Sequence, residues 1–301
     1  MVRASTCAGI SRSGRILPET AEPTAGRTIR GDERMHGKSV TRWAAAVGVT
    51  VVTAVLGCQP AGAAAYPTSI AALGDSMTRA FNTCAMPWTD CVRNSWATGT
   101  AVDSYSERLR KLEPDVATHN LAVSGARMSD LPRQAKAAVS NHVGLVTVLM
   151  GNNDACSGGT AAETFASQFK EAMTTLRQGL PNAQVKVVSI PDIYQLWVLL
   201  HTDKSAVAKW GTFHECDALL TNPTSTDPAD QQRRDAFRQR IIAYNAQLAA
   251  VCAEFSQCEY DGGAGFAARF DASDLSTVDY FHPSVKGQGL IADVVWKALG
   301  Y

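Results

Sequence analysis

The chain has 301 residues, 46% hydrophobic and 19% charged, with 28 basic and 28 acidic side chains. That balance argues against disorder, which goes with few apolar residues and high net charge. No Lys/Arg run is present, so no nucleic-acid partner is expected, and the length suits one sizeable domain or two.

Residues 1–34 are rich in Arg, Gly, Ser and Thr and show no apolar period. Met35 opens a short basic stretch with Lys38 and Arg42. An uncharged run of 15 residues follows from Trp43 to Gly57, then Ala63-Ala64-Ala65, a small-x-small cleavage pattern. This is the order of a secretory signal peptide. The run is shorter than the roughly 20 residues that span a bilayer, so no stable membrane insertion is expected. The reading is an upstream segment and signal peptide over 1–65, with the start at Met35 and cleavage after Ala65. A single domain over 66–301 would then be secreted. Cys58, which follows a small residue at the end of the apolar run, offers the alternative of a lipoprotein anchored there. The leader holds 8 of the 28 basic and 4 of the 28 acidic residues, so 20 and 24 remain, a net of −4 with His neutral.

Beyond Tyr66, short apolar runs alternate with helical patterns. Ile70–Leu73 is a strand ending at Gly74. Asp103–Leu112 is a helix stopped by Pro114, and His119–Val123 a second strand. Leu131–His142 is helical. Leu145–Met150 is apolar except for Thr147, as a strand buried on both faces requires. Thr160–Leu180 is an amphipathic helix with Phe165, Phe169, Met173 and Leu176 at helical spacing. Val185–Ile190 is a fourth strand, stopped by Pro191. Ile193–Leu220 is helical and rich in aromatics. Pro228–Phe255 is one long helix with Asp227 as its cap. Cys258–Tyr260 is a fifth short strand and Ile291–Leu299 a C-terminal helix. This alternation predicts an α/β fold, a parallel sheet covered by helices.

Two of the eight cysteines leave with the leader. Six remain, Cys84, Cys91, Cys156, Cys216, Cys252 and Cys258, and an even number in an exported chain reads as disulfides. Six cysteines permit fifteen pairings. Sequence proximity favours Cys84–Cys91 and Cys252–Cys258 as local staples and leaves Cys156–Cys216 to close a long loop, but the connectivity stays open. No CxxC or HExxH spacing points to zinc. No metal and no cofactor are expected.

In parallel sheets ligands bind beyond the carboxyl ends of the strands, and three motifs fall there. LGDSMT follows the first strand, AVSGAR the second and MGNNDA the third. Ser76 stands in the first, where a helix is expected to start. A serine hydroxyl is a poor nucleophile without a base to take its proton, and the base needs an orienting group. VDYFHPS near the C-terminus supplies both. Asp279 is three residues from His282, within reach of the imidazole, and Pro283 holds His282 in an extended or turn conformation. Asp271 and Asp274 are rivals for the carboxylate. The other histidines, His119, His142, His201 and His214, are read as having no comparable partner at short spacing. An oxyanion needs preorganised donors. Gly125 lets backbone approach closely because it lacks Cβ, and the Asn153 amide can donate, with Asn152 as its neighbouring rival.

Together, GDS near the N-terminus, Gly after strand two, GNND after strand three and DxxHP near the C-terminus resemble the block order of the SGNH, or GDSL-type, hydrolase family. The resemblance covers residues 68–301 and is nearest to secreted bacterial esterases and lipases with disulfides. It implies a three-layer α/β/α sandwich with a five-strand parallel sheet, the flavodoxin-like arrangement of that family. Ser76 would be the nucleophile, His282 the general base and then acid, and Asp279 its orienting partner. The N–H groups of Ser76 and Gly125 with the Asn153 side chain would form the oxyanion hole. The motif departs from the family at Met77, where GDSL reads GDSM, a change that keeps an apolar side chain unbranched at Cβ. No G-x-S-x-G elbow is present.

The implied activity is hydrolysis of carboxylic esters, of lipid or simple acyl type, by a monomer acting on a small-molecule or lipid ester. An acetyl-polysaccharide esterase and an acyltransferase are the alternatives on the same residues. A non-catalytic binding protein is disfavoured by the intact Ser76, Asp279 and His282. The apolar residues from Ile193 to Trp210 read either as packed core or as an acyl-binding surface.

Overall fold

The computed structural model describes residues 66–301. The expected start at Met35, the apolar run, Cys58 and the cleavage point after Ala65 lie outside the described residues. β1 (Ser69–Gly74) is buried along nearly its whole length. Its side chains alternate, Ala71 and Leu73 entering one core and Ile70 and Ala72 the other. A strand covered on both faces needs both sets apolar.

α1 (Tyr105–Arg110) is capped by Ser104, whose hydroxyl accepts the Glu107 N–H. β2 (Ala117–Asn120) begins before the expected His119. It is the edge strand, and its half-exposed residues carry little apolar signal. Leu121 and Val123 still donate to the Ala72 and Gly74 carbonyls, so the pairing outlasts the strand. α2 (Leu131–Ser140), β3 (Leu145–Leu149), α3 (Asn152–Cys156), α4 (Ala162–Gly179) and β4 (Gln184–Val187) follow.

The helical stretch expected over 193–220 is three helices, α5 (Tyr194–Leu200), α6 (Lys204–Phe213) and α7 (Asp217–Leu220). Asp203 starts α6 by accepting the Ala206 N–H. Left-handed backbone at His214 and Cys216 then breaks the chain before α7. α8 (Pro228–Cys252) starts as expected, but the Asp227 side chain makes no capping bond. Pro228 lacks an N–H, so the first turn has one donor fewer to satisfy. β5 (Cys258–Tyr260) and α9 (Ala264–Ala267) precede α10 (Val285–Leu299). α10 begins earlier than Ile291 because Ser284 caps it, accepting the Gly287 N–H.

The five strands are all parallel, in the order β2-β1-β3-β4-β5. α2, α4 and α8 cover the face that carries Leu73 and Val148, with Leu131, Phe169 and Phe237 at the contact. α1 and α10 cover the opposite face through Tyr105, Leu109, Ile291 and Val295. This is the three-layer α/β/α sandwich expected. The chain moves outward from β1 to β2 and returns on the other side of β1 as β3. That reversal opens a crevice at the carboxyl ends of β1 and β3, where ligands bind in such folds.

The disulfides are Cys84–Cys91, Cys156–Cys216 and Cys252–Cys258, the pairing sequence proximity favours. With partners 60 residues apart, Cys156–Cys216 restricts the unfolded chain most, by about 4 kcal/mol in the chain-entropy account. Among the described residues no helix is long and apolar enough to cross a membrane.

Candidate active site

The chain leaves β1 at Gly74 and makes a run of turns rather than the helix expected at Ser76. The Asp75 carbonyl accepts from the Thr78 and Arg79 N–H groups, and Ser76 O from Phe81 N. Positive φ at Ala80 and Asn82 curls the segment before a helix can propagate. Asp75 is fully buried, one carboxylate oxygen accepting the Met77 N–H at 2.9 Å. Its other oxygen has no partner among the described residues. Burial pushes this carboxyl up to about 6.

His282 comes to Ser76 from the other end of the chain. Its Nε2 lies 2.9 Å from Ser76 Oγ and its Nδ1 2.7 Å from Asp279 Oδ2. With Nδ1–H donated to the carboxylate, Nε2 is left to accept the serine proton. The three-residue spacing works because Asp279 also folds the chain around itself. Its Oδ1 accepts the Phe281 and His282 N–H groups at 2.9 and 3.0 Å, and Tyr280 turns left-handed between them. Burial is the largest influence on both groups. It pushes His282 down and Asp279 up, but their mutual hydrogen bond and charge overcome it. His282 ends above the ordinary imidazole value and Asp279 below the carboxylate value. The rival carboxylates are occupied elsewhere, since Lys286 pairs with both Asp271 and Asp274.

Gly125 and Asn153 line the same pocket as Ser76 and His282, a space of about 240 Å³. Gly125 adopts φ +81°, and a Cβ there would meet nothing within 4 Å. Backbone conformation, rather than the close approach read from sequence, is therefore what glycine supplies. Asn153 stands on α3, a short helix just beyond β3. Its Nδ2 donates to Ala126 O at 2.9 Å, which ties the third motif to the second. Asn152 faces away from the pocket. It is buried and its amide meets the Met77 sulfur. Gly151, just before α3, has φ +130°, and a Cβ there would come within 2.5 Å of Ile190 Cδ1.

Several residues around the site have no signal in the sequence beyond being polar. Asn82 Nδ2 donates to the same Asp279 oxygen that faces His282, while its Oδ1 accepts the Trp88 N–H at 2.6 Å. Gln134 grips both backbone groups of Gly74 at 2.8 and 2.9 Å. Gln288 holds Met77 O and Trp96 N. Glu215 lines the pocket beside Cys216. The apolar stretch after Ile193 divides between packed core and the lining of a cavity. Leu196, Leu200 and Trp210 belong to the core. Ile193 and Leu199, with the edge of Leu196, meet Met77 and Phe281 around a second, apolar cavity of about 30 Å³.

Residues 72–290 match the family described as GDSL-like lipase/acylhydrolase. No curated protein matches. Among solved structures, LAE5, an alpha/beta hydrolase enzyme from the metagenome of Lake Arreo, Spain, is similar at 16% identity. It covers 77% of this chain and 95% of its own, with a TM-score of 0.50. The psychrotrophic esterase EstA from Pseudoalteromonas sp. is similar at 15% identity, over 77% of this chain and 96% of its own, TM-score 0.48. Phospholipase A1 from Streptomyces albidoflavus NA297 is similar at 18% identity, over 77% and 99%, TM-score 0.49.

Proposed function

This chain belongs to the GDSL-like lipase/acylhydrolase family, and we propose that it is a serine hydrolase of carboxylic esters working through Ser76, His282 and Asp279. The observation that carries this reading is the unbroken relay from Ser76 Oγ to His282 Nε2 and from Nδ1 to Asp279. His282 takes the Ser76 proton as Oγ attacks the ester carbonyl. The oxyanion is met by the N–H groups of Ser76 and Gly125 and by the Asn153 amide. His282 then gives its proton to the departing alcohol. Water, deprotonated by the same imidazole, cleaves the acyl-enzyme and restores Ser76.

The apolar cavity beside Met77 is the natural place for the acyl group. Its walls, which include Met77, Ile193, Leu199 and Phe281, suit an apolar acyl chain. We assign the protein to the oxidising exterior, with residues 66–301 as its single exported domain, because three disulfides suit that compartment.

A fluorophosphonate probe tests the assignment. It should phosphonylate Ser76 with loss of fluoride, giving one adduct per chain by mass spectrometry and ending turnover. A protein that resists the probe while hydrolysing esters would sink the reading. Asn153→Ala should lower kcat by about 10²–10³ with little change in KM, since the donor acts where charge develops. A variant within twofold of the parent in kcat would remove Asn153 from the oxyanion hole.

A further inference from the structure

The pocket around Ser76 holds one carboxylate and no lysine or arginine among its described lining residues. That carboxylate, Glu215, is half-buried and has no hydrogen-bond or ion-pair partner among the described residues. Burial, the largest influence, pushes its carboxyl up, against the lowering effect of the His282 charge. Arg127 borders a neighbouring depression that shares Gly125 and Asn153 but not Glu215, Trp88 or His282.

The backbone that carries Glu215 is constrained on both sides. The residues on either side of it, His214 and Cys216, are both left-handed, with φ of 54° and 50°. Such backbone persists in non-glycine residues only where surrounding structure enforces it. The Cys156–Cys216 disulfide does so, fastening the turn to the helix that carries Asn153. The same pocket is also lined by aromatic side chains. Trp88, 41% exposed, sits on the loop closed by Cys84–Cys91. Its ring packs 4.4 Å from Phe213 and 6.5 Å from Phe81, and Phe81 lies 5.0 Å from the His282 ring. Lys209 reaches the Phe213 ring but does not line the pocket.

An unpaired carboxylate and a part-exposed indole lining one pocket are two elements that recognise an organic cation, the carboxylate by charge and the ring by its quadrupole. We propose that the alcohol moiety of the ester substrate carries a positive charge, a quaternary ammonium of the choline type, held between Glu215 and the face of Trp88. The alcohol side is the one concerned, because Glu215 and Trp88 share their pocket with His282, which must protonate the leaving oxygen. The acyl group turns toward Met77. This inference rests on the ester-hydrolase reading above.

Butyrylcholine and 3,3-dimethylbutyl butyrate have the same shape and differ only in the charge of the quaternary centre. The measurement is the ratio of their kcat/KM values, with p-nitrophenyl butyrate as a control for turnover. The expected ratio is about 10 or more at low ionic strength and smaller at high salt, as screening requires. Both Glu215→Gln and Trp88→Leu should bring it close to one. A general loss of catalytic power cannot imitate that result, because both esters use the same chemistry at Ser76. A ratio near one in the parent protein, with p-nitrophenyl butyrate turned over, overturns the cation assignment alone. A high ratio that survives both substitutions overturns it equally. Failure to hydrolyse any of the three esters overturns the hydrolase reading and this inference with it.

Discussion

Ser76→Ala should abolish hydrolysis of p-nitrophenyl butyrate, lowering kcat by about 10⁶-fold, the loss seen when a nucleophile that acts as one unit with its base is removed. The fold should survive. The Ser76 hydroxyl bonds His282, and the residue's backbone roles persist in alanine. A small polar-to-apolar change at a part-exposed position costs about 0.5 kcal/mol or less. Circular dichroism and the melting temperature should therefore match the parent while turnover disappears. The residual rate is informative as well. Gly125 N–H and Asn153 remain in place, so the variant should still exceed uncatalysed hydrolysis by about 10³-fold. Activity near that of the parent would end the claim that Ser76 is the nucleophile.

Why one serine in three letters of sequence can support such a prediction is a matter of topology. β1 and β3 are legible because strands covered on both faces must be apolar throughout, and the LVTVLM run has no other comfortable home. Once those strands are placed, the carboxyl-end rule gathers Ser76, Gly125 and Asn153 without reference to any family. Asp279 and His282 are legible because their partnership is local. What sequence hides is of a different kind. β2 is displaced because an edge strand has no need of apolar residues, so Ala117 gives no signal. The break between α6 and α7 depends on left-handed turns at His214 and Cys216, which composition does not announce. Glu215 is invisible for the same reason. It is an acid outside any motif, and the Cys156–Cys216 link and that turn bring it to the pocket. Asn82 is hidden by distance, meeting a partner 197 residues away.

That long-range contact sharpens what to expect at Asp279. In the parent protein one carboxylate oxygen, Oδ2, accepts from two donors, His282 Nδ1–H and the Asn82 amide. The other, Oδ1, accepts two backbone N–H groups. In Asp279→Asn the amide oxygen must stay with the backbone pair, which puts the new NH₂ where Oδ2 was. That NH₂ then faces two donors. The imidazole can answer only by moving its proton to Nε2, and with Nε2 protonated it no longer accepts from Ser76. Asn82 can answer only by flipping its amide, which gives up the Trp88 N–H. The wrong tautomer alone is worth about 10⁴ in kcat where it has been measured in a comparable relay, so a loss of that order is expected here.

The pH profile separates this cause from simple misfolding. The proposed mechanism needs neutral His282, so activity should fall as pH drops through the histidine's pKa. In the parent that pKa is held above the ordinary 6.5, chiefly by Asp279 acting against burial. The acidic limb of kcat/KM should therefore lie above that value. In Asp279→Asn the favourable charge is gone and burial remains, so the limb should move to lower pH even as the plateau falls. Asn82→Ala should do less. It leaves the carboxylate and its charge intact and removes one donor, so the limb should stay with the parent's while kcat drops about tenfold, as for one lost positioning hydrogen bond to a charged group. An Asp279→Asn protein that keeps a tenth of parental activity, or whose limb moves to higher pH, would show that Asp279 does not set the state of His282.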